Sequence, residues 1–527
     1  MIMAKKKSPF LFEYFFGSHG FVLSAISLVC LLAYANSFQN HFMLDDNTIL
    51  FGQSGVLNKS LWGIFTSDQG DFYRPIGHLP LWFFSRFLGS NYMGYHVVNF
   101  LLFVLIVFFL FVIVRKITSD AALSFLSALL YAIHPLNAMI INYITASVLA
   151  VFVLSMQISF LFFMCFSKQG QKRDYIFSLI FFILALFSHE MAIMLPVYLA
   201  AYLFFIKKEC LGKIFRLLSP FMLLLLGWVI YRLQSPFFPH QFNSSFSATG
   251  NMAAFFSTWM DLVIWYLSNL LFPSKIIFLW SSQYGQEHLL RNAIIFASAF
   301  SLGTYAFFQW KRSWKSFLLM VFVLGIFLTV FSCFVNFPKV WPIIEPHWFY
   351  FSQVGFFVLL GWFLLTMVRK NHFMGGALGV SVILLLLIHC WDYNAKWESQ
   401  EKYSLYWLSL NSGNLTPYYG LGRSLMDKGD YLGAKTCFLS GFKRLNYTSV
   451  QMAADLGHCL DMLRDDKEAL NWLNAAAALD SHYALTYHYL GLYCNKRGNF
   501  AEAQEAFKKA VELDPKFSPA YVYLENS

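Results

Sequence analysis

The sequence predicts an all-α protein in two parts, a polytopic membrane helical bundle followed by a C-terminal α-solenoid. Three observations predict this architecture. Hydrophobic residues make up 58% of the chain and charged residues only 13%, against about 25% charged residues in ordinary soluble domains. Lys and Arg occur in clusters between long apolar runs, and the last part of the chain repeats every 34 to 35 residues.

The charge distribution divides the two parts. Residues 1–391 hold 24 Lys and Arg against 12 acids, whereas residues 392–527 hold 14 against 16 and have the charge density of a soluble domain. We therefore expect a membrane domain at 1–391, a linker helix at 392–414 and repeats at 415–527. Because the basic excess follows short membrane loops, nucleic acid is not an expected partner.

The basic clusters predict the topology, since short cytoplasmic loops retain Lys and Arg. They lie at Lys5–Lys7, Arg115–Lys116, Lys168–Arg173, Lys207–Arg216, Lys311–Lys315 and Arg369–Lys370. With a cytoplasmic amino terminus and spans of about 20 residues, the pattern predicts about 11 spans and a large first outer loop at 38–92. The predicted spans are 20–37, 93–114, 121–134, 143–166, 174–189, 191–206, 217–234, 292–310, 316–336, 348–368 and 372–391.

One apolar stretch, 255–272, does not fit this alternation. A crossing there would place the Lys311–Lys315 cluster on the outer side. We predict an interfacial or re-entrant segment, because Trp259, Trp265 and Tyr266 suit the headgroup zone.

Small residues recur in the C-terminal part where paired helices must touch. Leu-Gly pairs end at Gly422, Gly457 and Gly491, each followed 12 residues later by Ala434, Ala469 or Ala503. The pattern continues with Phe438, Leu473 and Phe507, then Gly441, Ala476 and Ala510. It is similar to the tetratricopeptide repeat, in three units at 415–449, 450–483 and 484–517. A concave groove that binds a partner is the expectation; packing on the membrane domain or self-association is the alternative.

Two adjacent carboxylates, Asp45 and Asp46, follow the first apolar run directly. A charge near hydrocarbon costs free energy unless it is paired, hydrated or used, so the pair is a candidate functional site. Capping of an interfacial helix is the alternative. The predicted topology places the pair on the outer face with the repeats and with His134, Ser188 to Glu190 and Glu345 to Tyr350. We therefore expect a single extracytoplasmic reaction chamber.

The order of these motifs resembles a known family. The acid pair, Tyr73-Arg74-Pro75, Gly94 to Asn99 and His134-Pro135 occur in the order of GT-C glycosyltransferases, most closely the transmembrane tetratricopeptide-repeat O-mannosyltransferases and their bacterial relatives. Ser188-His189-Glu190 is similar to the Ser-Lys-Glu motif of that group. Glu345 to Tyr350 is similar to its Glu-Arg-x-x-Tyr segment. Met139 and Ser147 stand near positions where the family has an acid and an Arg.

The resemblance implies transfer of a sugar from a polyprenyl-phosphate donor to a protein Ser/Thr hydroxyl, with inversion. Asp45 is the expected general base, and Asp46 is expected to orient the acceptor or to share a metal or hydrogen-bond role. The donor phosphate needs cationic partners, and we expect Arg74, His189 and His347 to supply them, with Lys275 and Arg232 as further candidates. Tyr73, His134, Glu190, Glu345 and Tyr350 are expected to support the site.

Structural roles are the alternative at several of these positions. Arg74 is expected otherwise to pair with Asp68 or Asp71, and His134 to bind a backbone carbonyl freed by Pro135. His189 and His347 are flanked by Glu190 and Glu345, so ion pairing competes with substrate contact. A divalent metal held by Asp45, Asp46, His189 and Glu190 is a further alternative, although no ligand spacing requires one.

The sequence is also compatible with two other classes of function. A non-enzymatic envelope assembly scaffold would use the repeats to recruit proteins and a degenerate transferase domain as its anchor. A glycan polymerase, a ligase or a lipid-carrier transporter would use the same outer cavity.

The expected location is a bacterial inner membrane with periplasmic repeats; the alternative is an endoplasmic reticulum membrane with lumenal repeats. The membrane lipid itself is an expected partner in either case.

Overall fold

A computed structural model describes residues 18–51, 55–66, 73–234, 252–278, 280–281, 289–336, 343–344, 346–410, 413–445 and 449–514. The chain divides into two compact units. The first comprises residues 1–40 and 59–395, and the second comprises residues 41–58 and 396–527. The short segment 41–58 therefore leaves the membrane domain and joins the C-terminal unit.

Helices of very different length build the first unit. They are α1 (His19–Tyr34), α3 (Leu61–Thr66), α4 (Pro75–Leu88), α5 (Tyr92–Thr118), α6 (Ala121–Ile133), α7 (Met139–Asn142), α8 (Ser147–Gln169), α9 (Lys172–Leu186), α10 (Leu195–Ala201), α11 (Leu211–Gln234), α12 (Met252–Leu271), α13 (Leu289–Trp310), α14 (Trp314–Asn336), α15 (Val354–Lys370) and α16 (His372–Lys396). Two-residue strands, β1 (Trp280–Ser281) and β2 (Ile343–Ile344), pair antiparallel.

Five helices in the described part of the chain are long and apolar enough to cross a membrane. They begin at His19, Tyr92, Ile144, Leu211 and His372. The segment from Ala121 to Asn142 adds a sixth if its two halves, bent by 66°, count as one span. These helices confirm an all-helical membrane domain, whereas the predicted count of about 11 spans is not confirmed.

Prolines explain two breaks in the predicted spans. The span expected at 121–134 stops at Ile133, because Pro135 cannot donate the hydrogen bond that would continue the helix. The span expected at 191–206 contains Pro196 and consists of a 3-10 turn, Glu190–Met194, then α10, then a π turn, Tyr202–Ile206.

Small residues bring the membrane helices into contact. A Cβ on Gly355 would lie 2.2 Å from the carbonyl oxygen of Leu318, so α15 can approach α14 only with glycine there. Buried amides join other helices. Asn142 accepts a hydrogen bond from Asn40 at 3.1 Å and donates one to Asn394 at 2.8 Å. Such contacts replace the hydrophobic effect, which is weak between helices in lipid.

Helix α12 corrects one prediction about aromatic residues. Trp265 and Tyr266, expected in the headgroup zone, are buried in the first unit. The polar atoms of both rings have protein partners there: Trp265 Nε1 donates to the Lys275 carbonyl, and Tyr266 Oη donates to Gln353 Oε1, each at 3.1 Å. The interfacial or re-entrant placement of 255–272 stays a prediction.

The second unit contains α2 (Asp46–Phe51) and paired C-terminal helices. These are α17 (Gln400–Leu410), α18 (Thr416–Asp427), α19 (Tyr431–Leu445), α20 (Val450–Met462), α21 (Asp466–Leu479), α22 (Ala484–Lys496) and α23 (Phe500–Leu513). The range 392–414, expected to form one linker helix, contains two helices. Helix α16 continues to Lys396, and the separate helix α17 begins at Gln400.

The repeated glycines lie where the sequence pattern predicts helix contacts. A Cβ on Gly422 would lie 2.1 Å from the Phe438 ring, and one on Gly491 would lie 2.5 Å from the Phe507 ring. A polar contact joins the first helices of the three pairs. Asp455 Oδ1 accepts from Arg423 Nη1 and from Tyr489 Oη, both at 3.0 Å.

Candidate functional site

The N-terminus of α4 positions the arginine that the sequence singles out. Arg74 precedes the helix and Pro75 is its first residue, a position where the missing N–H of proline costs nothing and its fixed φ favours the helix. The next residue, Ile76, donates its backbone N–H to the carbonyl of Phe187 at 3.2 Å. The start of α4 is thereby bound to the loop that carries His189 and Glu190.

Gly77 allows this close approach. A Cβ at this position would lie 2.6 Å from Val148 Cγ1 and 3.1 Å from the Ser188 carbonyl oxygen. The first distance is shorter than any normal contact, so a side chain would push α4 away from α8 and from the loop at Ser188. Glycine at 77 therefore fixes how near Arg74 comes to Glu190.

Glu190 bridges two guanidinium groups. Its Oε2 lies 2.8 Å from Arg74 Nη2 and accepts from Arg74 Nε at 3.0 Å. Its Oε1 accepts from Arg232 Nη2 at 2.9 Å. The exposed fractions of the side chains are 17% for Arg74, 15% for Glu190 and 10% for Arg232. We call these three residues the arginine cluster.

The arginine cluster carries more positive than negative charge. Burial by itself would raise the pKa of Glu190, but the charges of Arg74 and Arg232 outweigh it and hold that pKa well below its usual range. The carboxylate is therefore ionised, and two guanidinium groups against one carboxylate leave one net positive charge. A partly buried site with this charge attracts an anion such as a phosphate.

Two tyrosines and a tryptophan surround the arginine cluster. Arg232 Nη1 donates to the backbone carbonyl of Tyr73 at 2.9 Å. Tyr231 Oη donates to Tyr73 Oη at 3.0 Å, and Tyr73 Oη donates to the Phe65 carbonyl at 2.8 Å. The Arg232 guanidinium also lies 5.3 Å from the centroid of the Trp228 ring. These contacts restrain Arg232, so its charge has a fixed position.

His189 has a defined tautomer. Its Nδ1 accepts the backbone N–H of Met191 at 3.2 Å, which caps the 3-10 turn that begins at Glu190. An accepting Nδ1 leaves the proton on Nε2, so the ring is neutral although Nδ1 lies 3.6 Å from Glu190 Oε2. His189 can therefore donate a hydrogen bond from Nε2. To act as the expected cation, the same ring would need a second proton, on Nδ1.

The acid pair belongs to the second unit. Asp45 is exposed, and its carbonyl accepts the N–H of Ile49 at the start of α2. Asp46 is fully buried, and its Oδ2 accepts the N–H of Met43 at 3.1 Å. The two carboxylates therefore differ in their surroundings: Asp45 is exposed, while Asp46 is buried and bonded within the turn.

Other expected residues lie elsewhere in the first unit. His134 is buried, with Nδ1 accepting from Leu136 at 3.3 Å and Nε2 donating to the Leu270 carbonyl at 3.2 Å. The carbonyl that it binds therefore belongs to α12 and is not the α6 carbonyl freed by Pro135. Tyr350 is buried, and its carbonyl accepts from Tyr131 Oη at 3.1 Å. Lys275 is exposed in the loop after α12.

Two expected residues, and the alternative partners of Arg74, lack described side chains. His347 lies in the 3-10 turn Pro346–Phe349, of which only the backbone is described at that position. Glu345 lies outside the described residues, as do Asp68 and Asp71. The roles expected of His347 and Glu345 stay predictions, and Glu190 is the described partner of Arg74.

Metal binding has little support in this part of the molecule. Among the residues that the structure describes, no three His, Cys, Asp or Glu side chains are grouped as metal ligands would be. Both oxygens of Glu190 already face guanidinium groups, so this carboxylate is a poor ligand for a cation. The chemistry of the arginine cluster is that of an anion site.

Arg74, His189 and Glu190 are predicted from the sequence, but not all of their partners are. Arg232 was only a further candidate, and Tyr231 and Gly77 were not identified. Arg232 lies near the end of a predicted span, where a lone charge is unusual. This position in the sequence is the signal that could have identified Arg232 as a site residue.

Comparison with known proteins identifies two segments. Residues 74–238 match the family model described as dolichyl-phosphate-mannose-protein mannosyltransferase, and residues 484–517 match the tetratricopeptide repeat model. The first match begins at Arg74 and includes Glu190 and Arg232. The chain is thus similar to GT-C glycosyltransferases with a tetratricopeptide repeat, as the sequence motifs indicate.

Other comparisons add little. The crystal structure of MamA is similar at 29% sequence identity over 23% of this chain and 70% of that chain, with a TM-score of 0.21. No curated protein matches the chain.

Proposed function

We propose that this protein is a membrane glycosyltransferase that moves a sugar from a polyprenyl-phosphate donor to a Ser or Thr hydroxyl of a protein on the extracytoplasmic face. The arginine cluster carries this proposal. It combines a net positive charge, partial burial and restrained guanidinium groups within the segment that matches the mannosyltransferase family. Such a site suits the phosphate of a lipid-linked sugar.

The reaction is a displacement at the anomeric carbon. The acceptor oxygen forms a bond to that carbon from the face opposite the phosphate, and the bond to the phosphate oxygen breaks, so the configuration inverts. The phosphate leaves with the bonding electron pair. Arg74 and Arg232 would stabilise the negative charge that develops on it, because preorganised cations act strongly in a partly buried site.

The proton of the acceptor hydroxyl needs a base. Asp45 is the proposed base, since its carboxylate is exposed and follows the first apolar run directly. Asp46 would orient the turn through its bond to the Met43 N–H. Neutral His189 would contribute a hydrogen bond from Nε2 and no charge.

Arg232 also compensates, in this proposal, for an arginine that the chain lacks. The family resemblance leads one to expect an arginine near Ser147, and this chain has a buried serine there, as the first residue of α8. We propose that Arg232, on α11, supplies the missing guanidinium. Its bond to Glu190 gives it the same partner as Arg74.

A lipid-linked sugar assay tests the function. Purified protein, supplied with radiolabelled polyprenyl-phosphate sugar and Ser/Thr-containing peptides, should release the lipid phosphate and label the peptide. Asp45→Asn and Arg232→Gln should each lower turnover at least 100-fold. The matched controls are Asn47→Ala, in α2 next to the acid pair, and Arg86→Gln on α4, whose guanidinium binds the Lys59 carbonyl.

The same assay separates the alternatives. An intact sugar–phosphate bond with all acceptors would favour a scaffold or a transporter over a transferase. Labelled glycan or lipid without labelled peptide would favour a polymerase or ligase. Wild-type turnover in both Asp45→Asn and Arg232→Gln would contradict the residue roles even if the transferase activity is present.

A further inference from the structure

The segment that carries the acid pair is bound to the unit that contains the repeats. Residues 41–58 form one compact unit with residues 396–527. Within it, His41 donates its backbone N–H to the Glu398 carbonyl at 3.4 Å. Leu44 donates its backbone N–H to Gln400 Oε1 at 2.8 Å. Both partners lie at or just before the start of α17.

The turn next to the acid pair has an unusual backbone. Leu44 has φ of 51°, in the left-handed region that residues with a side chain rarely adopt. Such a conformation persists only where surrounding contacts hold it. The N–H of Leu44 is the group bound by Gln400, and Asp45 is the next residue. The Gln400 side chain therefore supports the backbone turn that carries the exposed Asp45 and the buried Asp46.

Gln400 is itself held by α17 and by the first repeat. Its Nε2 donates to Ser404 Oγ at 3.0 Å. A Cβ on Gly420, in α18, would lie 2.1 Å from Gln400 Nε2 and 2.8 Å from Ser404 Oγ. The backbone of the first repeat thus packs directly against the Gln400 amide. Contacts run without interruption from α18 to Gln400, then to Leu44 and the acid pair.

We propose that Gln400 is a positioning residue through which the first repeat holds the acid pair in its reactive geometry. The inference deepens the proposed function, since it rests on Asp45 as the base. It makes the repeats part of the catalytic arrangement as well as a surface for a partner. A change in the first repeat that moves Gln400 then changes the turnover of the transferase.

Two substitutions of Gln400 separate positioning from general stability. Gln400→Met keeps the size but cannot accept the Leu44 N–H. Gln400→Glu keeps an accepting oxygen and adds a negative charge near the acid pair. The control is Lys402→Met, on the same helix, whose exposed side chain pairs only with Glu398 among the described contacts.

Amide hydrogen exchange on the full chain in lipid nanodiscs measures the positioning directly. In Gln400→Met, exchange of the peptide spanning residues 41–51 should rise at least tenfold, whereas Gln400→Glu and Lys402→Met should leave it within twofold of wild type. Peptides from α22 and α23 should not change in any variant, which shows that the repeats remain folded. Unchanged exchange at 41–51 in Gln400→Met would overturn the proposal.

Gly420→Ala tests the link from the repeat. The new methyl group should displace Gln400 and raise exchange at 41–51 with Gln400 itself intact. Unchanged exchange at 41–51 in this variant would contradict the role of the first repeat.

The kinetic constants distinguish positioning from a purely structural role, because a purely structural role would not change kcat and the pH profile selectively. Gln400→Met should lower kcat at least tenfold with the KM for the donor unchanged, because the acid pair and not the phosphate site is disturbed. Gln400→Glu should recover kcat and shift the acid limb of its pH profile to higher pH, since a nearby negative charge raises the pKa of a carboxylate. Unchanged kcat in Gln400→Met would also refute the proposal. The expected exchange pattern without any transfer by wild-type protein would instead refute the proposed function alone.

Discussion

At the scale of single residues, Glu190 decides the character of the candidate site. One carboxylate holds two guanidinium groups in place, and removing it would leave two like charges close together in a partly buried setting. Breaking such a pair from one side is costly, since the remaining charge stays desolvated. Glu190 therefore keeps Arg74 and Arg232 together, and the arginine cluster retains a net charge of +1.

Glu190→Gln should lower the free energy of unfolding by about 3 kcal/mol, because two arginines lose their counter-charge. Added inorganic pyrophosphate should then stabilise this variant more than the wild type, since an anion can take the place of the carboxylate. Thermal unfolding in nanodiscs measures both effects. Glu209→Gln, which breaks the pair of Glu209 with the largely exposed Lys213, is the control and should change little. Equal stabilisation of both proteins by pyrophosphate would argue against an anion site.

The burial of His78 predicts that the folded protein loses stability at acid pH. Burial lowers the pKa of His78 to about 4, and Nδ1 lies 2.9 Å from the Arg74 carbonyl. Between about pH 6.5 and pH 4 the unfolded chain binds more protons than the folded one. The free energy of unfolding should therefore fall as the pH falls through this window, by up to about 3 kcal/mol.

His78→Asn removes this titration and keeps a donor for the Arg74 carbonyl. The variant should show a flatter dependence of thermal stability on pH between 6.5 and 4 than the wild type. At pH 7.5 the two proteins should differ little. A variant with the same pH dependence as the wild type would show that His78 is not the titrating group.

Residue types at this site could be predicted only in part. The family resemblance led to Arg74, which lies within the predicted first outer loop, and to His189 and Glu190, which lie next to a predicted span end. The charge state of His189 could not be predicted, since it depends on the Met191 N–H, a backbone contact that the sequence does not show. Arg232 is 42 residues from its partner Glu190, so only the fold brings them together.

At the scale of helices, the start of α4 depends on Gly77. Gly77→Ala should push α4 from Val148 and the Ser188 carbonyl, and an overpacked contact of this kind costs about 1 to 3 kcal/mol. Transfer activity should fall at least tenfold because Arg74 moves relative to Glu190. Gly227→Ala, in α11 where a Cβ would meet nothing within 4 Å, is the control. Equal activity in the two variants would show that the close approach is not needed.

Helices were predicted well where apolar length or a repeat determined them. Every predicted span overlaps a helix, and Gly422 and Gly491 lie against the expected aromatic rings. The helix that ends at Ile133 stops one residue before the predicted end of its span. The division of the predicted span 191–206 around Pro196 was not predicted, because proline ends or bends a helix according to its surroundings. Burial of Trp265 and Tyr266 was not predictable, since an aromatic residue with a polar atom suits both a headgroup and a protein partner.

At the scale of the whole molecule, the second unit constrains the topology. Residues 41–58 and 396–527 are in contact and therefore lie on one side of the bilayer. The chain between them must cross the membrane an even number of times. The predicted topology satisfies this condition, with ten spans between the acid pair and the repeats.

Thiol labelling tests this arrangement. In a Cys210→Ser background, which removes an exposed native thiol, Asn47→Cys and Glu468→Cys should react with an impermeant reagent from the same side. Lys168→Cys should react only from the opposite side. Reaction of the first two positions from different sides would contradict both the compact second unit and the proposed location of the base.

The bond between Leu44 and Gln400 spans 356 residues of sequence. A ribosome adds about 5 to 20 residues per second, so the Leu44 amide waits roughly 20 to 70 s before its partner is synthesised. A nascent or truncated chain that stops before Gln400 therefore lacks the support for its carboxylate turn. If the proposed function is right, synthesis order alone would keep an incomplete chain inactive until Gln400 has been added.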